Sequence, residues 1–195
     1  RLEGVTGEVA CRGLHNGAQL DGVTGNLMLK QATVLRQPLQ NLHGKFHVAR
    51  EAPDVLRLPG LRGEWFGGEV YGPLRMEFGP TPRYELRLSA ANVKLEELAR
   101  QNLPPGVQVS GTASAELYLS GQGGDLTGMI GGGTIDVPSG KMYNLPVLLD
   151  LLKVLGLRWP DRTAFEEGRA QFEIKGPRVT FKKLDLFGNA ISLRG

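Results

Sequence analysis

The stretch Thr112-Ala-Ser-Ala-Glu-Leu-Tyr-Leu-Ser120 decides the fold class, because apolar and polar residues alternate along its whole length. Successive side chains of an extended chain point to opposite faces, so the stretch predicts a β-strand with one apolar face. That face would carry Ala113, Ala115, Leu117 and Leu119. The other face would carry hydroxyl groups and a carboxylate, which suits contact with water.

The same period of two recurs on both sides of this stretch. It is clear in four further runs, which are Leu74–Phe78, Tyr84–Ala90, Ala170–Ile174 and Val179–Lys183. Weaker runs of the same kind are Gly7–Arg12, Gly25–Lys30, Ala32–Leu39, Gly44–Arg50, Val55–Leu61, Glu64–Tyr71, Leu126–Gly131, Gly133–Val137 and Ala190–Arg194. Roughly fourteen short strands with short connections predict a mainly β fold, built as a long, twisted antiparallel meander.

Glycine is the residue type that departs most from average usage. The chain has 28 glycines among 195 residues, about twice the usual ~7%. They recur between the alternating runs and follow no collagen period, so they predict turns and β-bulges. Hydrophobic residues at 41% and charged residues at 22% place the chain among folded proteins rather than disordered ones.

Two segments have a helical rather than an alternating pattern. Val93–Arg100 follows Asn92, a residue that suits an N-cap. Pro146–Leu155 has proline in its first turn and Gly156 as a stop. Apolar residues surround this second helix, so we expect it to pack against the sheet at one end of an apolar trough, or else to contact a membrane surface. The leucines of this groove-end helix are Leu148, Leu149, Leu152 and Leu155.

The apolar side of the predicted sheet is the most informative feature for function. Two short helices of ~12 and ~15 Å cannot cover the apolar side of so many strands. The sheet must therefore fold over on itself as a sandwich, close as a barrel, or hold something apolar in a groove. Candidates for contact with an apolar cargo are Leu86, Leu88, Ala113, Ala115, Leu117, Leu119, Ile135, Val137, Phe172, Ile174, Val179 and Phe181.

Other kinds of chemistry find little support in the sequence. Basic residues are spread singly apart from Lys182 and Lys183, and the net charge of +3 is small, which disfavours a nucleic-acid partner. His43 and His47 lack an acidic ligand pattern for a metal. No phosphate loop, dinucleotide fingerprint or nucleophile elbow is complete. A single cysteine, Cys11, excludes an internal disulfide. We therefore predict a chain that is not an enzyme and uses no cofactor or metal.

Several motifs follow one another in a fixed order after residue 88. They are the short helix in Ser89–Leu98, the strands Val109–Gly121 and Asp125–Asp136, the turn Ser139–Pro146 into the leucine-rich helix, and the paired strands Phe165–Ile174 and Leu184–Gly195. In this order they resemble the C-terminal region of the AsmA-like family, the AsmA/TamB-type proteins of the bacterial envelope. The resemblance covers residues 89–195, whereas residues 1–88 share only the Gly-punctuated β pattern.

The resemblance implies a taco-like, repeating β-groove that continues from residues 1–88 into residues 89–195. It implies a non-enzymatic, bridge-like lipid carrier in the periplasm, which holds phospholipid acyl chains between the inner and outer membranes. Attachment to the inner membrane would lie in parts of a longer protein, and outer-membrane or other envelope proteins would be further partners. Two alternatives remain: an envelope scaffold without lipid cargo, and a carbohydrate-binding β module with exposed aromatic side chains on a polar face.

Overall fold

A single antiparallel sheet makes up most of the molecule. The computed structural model describes residues 3–16, 19–34, 37–102, 108–123, 127–143, 165–188 and 192–194. Eleven strands pair in the order in which they occur along the chain, each antiparallel to the next. The first and last strands are the two edges, so the sheet is open. The prediction of a mainly β, antiparallel meander is therefore confirmed.

The strands are long, at 10 to 16 residues, except for the last, which has three. They are β1 (Glu3–Asn16), β2 (Gln19–Val34), β3 (Gln37–Ala49), β4 (Val55–Trp65), β5 (Gly68–Glu77), β6 (Arg83–Lys94), β7 (Gln108–Gln122), β8 (Ile130–Tyr143), β9 (Phe165–Lys175), β10 (Arg178–Gly188) and β11 (Ser192–Arg194). One helix, α1 (Leu95–Asn102), is present in the described residues. Because β6 runs from residue 83 to 94, one sheet continues across residues 88 and 89.

The described residues form eleven strands rather than the predicted fourteen, because one predicted pair is a single strand and two predicted strands straddle connections. Pro59 and Gly60 are part of β4, and Gly72 and Pro73 are part of β5. The predicted strands Leu126–Gly131 and Gly133–Val137 are wrong as separate elements, since Ile130 to Val137 belong to β8. The glycines and prolines inside β4, β5 and β8 interrupt the alternation of apolar and polar residues, but the strand continues through them. β-Bulges and close backbone contacts have this effect.

Two predicted strands straddle connections and are wrong. Ala32–Leu39 contains the end of β2 and the start of β3. Glu64–Tyr71 contains a two-residue turn at Phe66 and Gly67, whose φ angles are 47° and 69°. Two successive positive φ values are typical of a hairpin turn, which usually has Asn-Gly rather than Phe-Gly. Phe66 is held there because its ring is buried and its carbonyl accepts a 3.0 Å hydrogen bond from the Lys94 N–H.

Gly72 shows why one of these internal glycines is required. Its φ is +151°, and a Cβ built on it would meet the carbonyl oxygen of Arg87 in β6. Neither the backbone angle nor the contact suits an L-residue with a side chain. Glycine therefore permits the close approach of β5 to β6 at this point.

The helix α1 begins two residues later than predicted. Asn92 is not its N-cap, because it lies within β6 with a φ of 56°, where the pairing with β7 shifts register. Leu95 and Ala99 of the helix are buried, and the Glu96 carboxylate accepts a 3.1 Å hydrogen bond from the Gly111 N–H of β7. The helix therefore lies against β6 and β7. The predicted helix Pro146–Leu155 lies outside the described residues.

The largest cluster of buried side chains among the described residues lies on one side of β2 to β6. Leu58 and Val93 are each 1% exposed. They belong to a cluster of buried side chains, which are Ala32, Leu39, Leu42, Phe46, Leu58, Leu61, Phe66, Val70, Ala90 and Val93. Leu98 of α1 packs against this cluster. Smaller clusters follow on the same side of the sheet, around Val137 and Leu186 and around Leu119 and Ile174.

Candidate functional site: the apolar face of the sheet

A row of apolar residues crosses seven consecutive strands. Residues directly opposite one another in neighbouring strands lie on the same face of a sheet. From β4 to β10, the residues in this first row are Leu58, Leu74, Leu86, Leu119, Gly131, Ile174 and Val179. With strands ~4.8 Å apart, six spacings give the row a length of roughly 29 Å.

Two further rows run beside the first. The second row, from β6 to β10, is Leu88, Leu117, Gly133, Phe172 and Phe181. The third row, from β4 to β10, is Gly63, Val70, Ala90, Ala115, Ile135, Ala170 and Leu184. Every member of these rows is apolar or glycine. We call the side of the sheet that carries the three rows the apolar face.

The pairing of the strands places all twelve predicted contact residues on the apolar face. They differ in how far neighbouring side chains cover them. Four are buried, namely Ala113, Leu119, Val137 and Ile174, and six are partly exposed, namely Leu86, Leu88, Ala115, Leu117, Ile135 and Phe172. The remaining two, Val179 and Phe181, are 55% and 59% exposed. The groove-end leucines of the predicted second helix lie outside the described residues.

Coverage of the apolar face is uneven along the first row. Leu58 at its β4 end is 1% exposed, Leu86 is partly exposed, Leu119 and Ile174 are buried at 4% and 7% exposure, and Val179 at its β10 end is 55% exposed. The large buried cluster and α1 cover the part of the face that β4 to β6 provide. Beyond β10, the three residues of β11 pair with Asp185, Leu186 and Phe187. The apolar face is therefore covered at one end and open at the other.

Two glycines on β8, in the middle of the apolar face, leave space that side chains of the neighbouring strands occupy. Gly131 lies between Leu119 and Ile174, and Gly133 lies between Leu117 and Phe172. Side chains of the neighbours lean over them: Leu119 Cδ1 and Phe172 Cζ come within 3.0 and 2.9 Å of where a glycine Cβ would be. The leucines of β7 and the aromatic residue of β9 thus form one apolar surface across β8.

The opposite side of the sheet is polar and carries paired charges. Arg169 Nε donates a 2.8 Å hydrogen bond to Asp136, and Lys183 lies 3.1 Å from Asp185. A row of alternating charge crosses β8 to β11 and consists of Asp136, Arg169, Asp185 and Arg194. Opposite charges facing one another across strands stabilise a sheet modestly. The sheet is amphipathic, with a charged face and an apolar face.

Aromatic residues are divided between the two faces. Trp65 and Phe66 lie with ring centroids 5.2 Å apart, but Phe66 is buried in the large cluster, so this pair is not an open platform. Tyr71 and Tyr118 are 45% and 54% exposed. They lie opposite Ser89 and Arg87 on the polar face.

Comparisons with protein-family models, with curated proteins and with solved structures found no significant match to this chain.

The described residues also show no group of three or more His, Cys, Asp or Glu side chains that could hold a metal ion. Within the described ranges, no helix combines the length and the hydropathy needed to cross a membrane. His43 lies opposite Met28 and Arg62, and His47 lies opposite Thr24 and Arg57. Neither histidine has a carboxylate directly opposite it.

Sequence analysis missed the part of the apolar face that β2 to β5 contribute. Leu42, Phe46, Leu58 and Val70 belong to it, yet none was a predicted contact residue. The apolar spacing in this half is irregular, because buried residues such as Leu58 and Leu61 lie three apart on either side of a register shift. An odd step between buried residues, with Pro-Gly between them, is the signal that could have identified a bulge.

Proposed function

We propose that this chain is a non-enzymatic segment of a bridge-like lipid carrier, which holds phospholipid acyl chains against the apolar face of its sheet. The observation that carries the proposal is the set of three apolar rows, two crossing β4 to β10 and one crossing β6 to β10, in which residues such as Leu88, Leu117 and Phe181 remain exposed in part. Soluble proteins rarely leave such a surface without a partner. The rows need no polar contacts, which suits a hydrocarbon ligand.

The dimensions of the face suit an acyl chain. A bilayer core is ~30 Å thick, so one lipid tail spans about half of it, or ~15 Å. The first row, at roughly 29 Å, is longer than one tail. A tail lying along the second row, which spans four strand spacings or roughly 19 Å, would contact the partly exposed Leu88, Leu117 and Phe172 in turn.

The energetics explain why such a face would be useful. Moving a two-tailed lipid into water exposes ~30 methylene groups at ~0.8 kcal/mol each, or about 24 kcal/mol. A barrier of that height corresponds to roughly 10⁻⁵ events per second. An apolar face that shields the tails, while the headgroup stays in water, lowers this barrier.

The placement in the cell rests on the resemblance to the AsmA-like family. A meander in which every strand pairs with the next is compatible with the repeating groove that the resemblance implies. In this proposal the sheet curls into a taco-like groove in the periplasm, and phospholipids pass along it between the inner and outer membranes. Inner-membrane anchoring and contacts with envelope proteins belong to other parts of a longer protein.

The test places a charge on the apolar face and asks whether lipid contact is lost. Leu117 is partly exposed in the second row, and the next residue, Tyr118, is 54% exposed on the polar face. Leu117→Asp should abolish photo-crosslinking of the full-length protein to labelled phospholipid. It should leave folding largely intact, because water reaches a partly exposed side chain. Tyr118→Asp is the matched control and should keep its lipid crosslinks.

Two results would contradict the proposal. One is an absence of crosslinks between the wild-type protein and phospholipid, which would favour an envelope scaffold. The other is a loss of several kcal/mol in the unfolding free energy of Leu117→Asp, as expected for an unpaired carboxylate in a dry core. Loss of crosslinks with an unchanged melting temperature would support the carrier.

A further inference from the structure

The hairpin of β9 and β10 carries the most exposed part of the apolar face. Its turn lies between Lys175 and Arg178, and the strand after the turn exposes Val179, Phe181 and Leu184 by 55%, 59% and 38%. We call these three residues the hairpin patch. They lie opposite Ile174, Phe172 and Ala170 of β9, so they share one face of the sheet.

The hairpin patch is held in place although it is exposed. Phe181 packs edge-on against Phe172, with ring centroids 6.5 Å apart. The rest of β10 up to Gly188 continues the pairing with β9. On its outer side, β10 from residue 178 to 184 has no strand partner among the described residues. A surface ready to contact an apolar partner therefore lies at an accessible edge.

Positive charge is concentrated on the other side of the same hairpin. The segment from Glu173 to Asp185 contains four cations and two carboxylates, so its net charge is +2. The four cations are Lys175, Arg178, Lys182 and Lys183. Lys182 lies 3.1 Å from Glu173 and Lys183 lies 3.1 Å from Asp185. The excess charge therefore sits at the tip, on Lys175 and Arg178.

The tip cations also border a depression in the polar face. It has a volume of about 320 Å³ and is lined by Glu173, Lys175, Pro177, Arg178, Thr180 and Lys182. Three of its six lining residues are cationic and one is anionic. An anionic group of modest size would be attracted to it.

We propose that the β9–β10 hairpin docks on the surface of an anionic lipid bilayer. Exposed apolar side chains select a partner with a hydrocarbon interior, and the excess of cations selects one with a negative surface. An amphipathic element of this kind lies in the interface, with its apolar side ~5–10 Å deep and its cations among the headgroups. The sheet is one layer thick at its edge, so both sides of the hairpin reach the interface. This inference rests on the hairpin alone and not on acyl chains lying along the face.

The experiment is co-sedimentation of the full chain with vesicles of phosphatidylcholine, with and without phosphatidylglycerol. We expect binding to the anionic vesicles that weakens as salt is added. Val179→Ser together with Phe181→Ser should reduce the partition constant by about tenfold or more. Each cation near the surface contributes about a fivefold factor to the partition constant. Lys175→Gln together with Arg178→Gln should therefore reduce it by about 25-fold.

Matched controls come from other parts of the sheet. Phe78 is 50% exposed just after β5, so Phe78→Ser removes a similarly exposed ring. Lys45→Gln together with Arg87→Gln removes two exposed cations from the polar face of β3 and β6. Both controls should bind the anionic vesicles like the wild type. Circular dichroism of every variant should show an unchanged sheet.

Several outcomes would overturn the docking proposal. They are a wild-type chain that ignores anionic vesicles, equal binding to neutral and anionic vesicles, and controls that lose as much binding as the hairpin variants. A further one is a wild-type chain that forms a dimer and does not bind vesicles, if Phe181→Ser turns that dimer into a monomer. This result would assign the hairpin patch to contact with a second copy of the chain. Failure here leaves the lipid crosslinks at Leu117 unaffected, so the two proposals can fail separately.

Discussion

Truncating the two ends of the first apolar row should have very different effects on stability. Leu58 is 1% exposed and Val179 is 55% exposed, although they lie on the same face of the same sheet. Leu58→Ala removes three buried carbons and leaves a cavity, which should cost about 3 kcal/mol. Val179→Ala removes two methyl groups worth ~0.8 kcal/mol each when buried, and at about 45% burial this gives about 0.7 kcal/mol.

Urea unfolding followed by circular dichroism measures both values. For a chain of this size, 1 kcal/mol corresponds to about 2–4 °C in melting temperature, so Leu58→Ala should lower it by roughly 6–12 °C and Val179→Ala by less than about 3 °C. The dependence of the unfolding free energy on urea should keep the wild-type slope in both variants. Leu86→Ala, in the middle of the row, should fall between them. The loss of unfolding free energy can be divided by the number of carbons removed. If this value were the same for Val179→Ala and Leu58→Ala, an open face at β10 would be refuted, because a packed layer would have to cover that strand.

Two further predictions concern backbone positions in or beside the register shifts. Gly72→Ala should destabilise the sheet by about 3 kcal/mol because its Cβ would meet the Arg87 carbonyl at a positive φ; Gly60→Ala has open space around its Cβ and should be neutral or stabilising by up to ~1 kcal/mol. Equal melting temperatures for these two variants would contradict the close approach of β5 to β6. Asn92→Val should cost about 1–2 kcal/mol because its φ is 56°, whereas Asn92→Gly should stay within about 0.5 kcal/mol of the wild type. A tolerated valine at residue 92, measured by the same urea titration, would contradict a left-handed backbone there.

The strands with uninterrupted alternation could be predicted from the sequence. Thr112–Ser120 and Tyr84–Ala90 lie inside β7 and β6, and Ala170–Ile174 lies inside β9. In these strands the period of two and the burial pattern agree, so the faces of Leu86, Leu117 and Phe172 follow from the sequence alone. Antiparallel order could also be predicted for most neighbouring strands, because the connections other than those from β6 to β7 and from β8 to β9 are too short for a crossover.

The strands with bulges could not be predicted in the same way. A bulge inserts one residue, so the buried side changes from even to odd positions and a search for a strict period ends the strand there. Asn41, with a φ of 50°, separates buried Leu39 from buried Leu42 in β3, and the shift between Leu58 and Leu61 does the same in β4. The turn at Phe66 and Gly67 was missed for another reason, since a buried phenylalanine overrides the usual residue preference of that turn.

The uneven coverage of the apolar face bears on how one sheet could both fold and carry a ligand. A sheet that left all its rows open would lack the burial needed for stability, and one that covered all of them would have no surface to offer. Here the large cluster on β2 to β6 supplies the burial, with Leu58 and Val93 at 1% exposure. The rows continue from that cluster onto β7 to β10 without a polar interruption. Leu119 and Ile174 are still buried there, whereas Leu117 and Phe172 are partly exposed and Val179 and Phe181 are 55% and 59% exposed. Under the proposed function, substitutions at buried residues such as Leu58 and Leu119 should therefore act on the amount of folded protein, whereas substitutions at residues that are at least partly exposed, such as Leu117 and Phe181, should act on lipid contact at nearly constant stability.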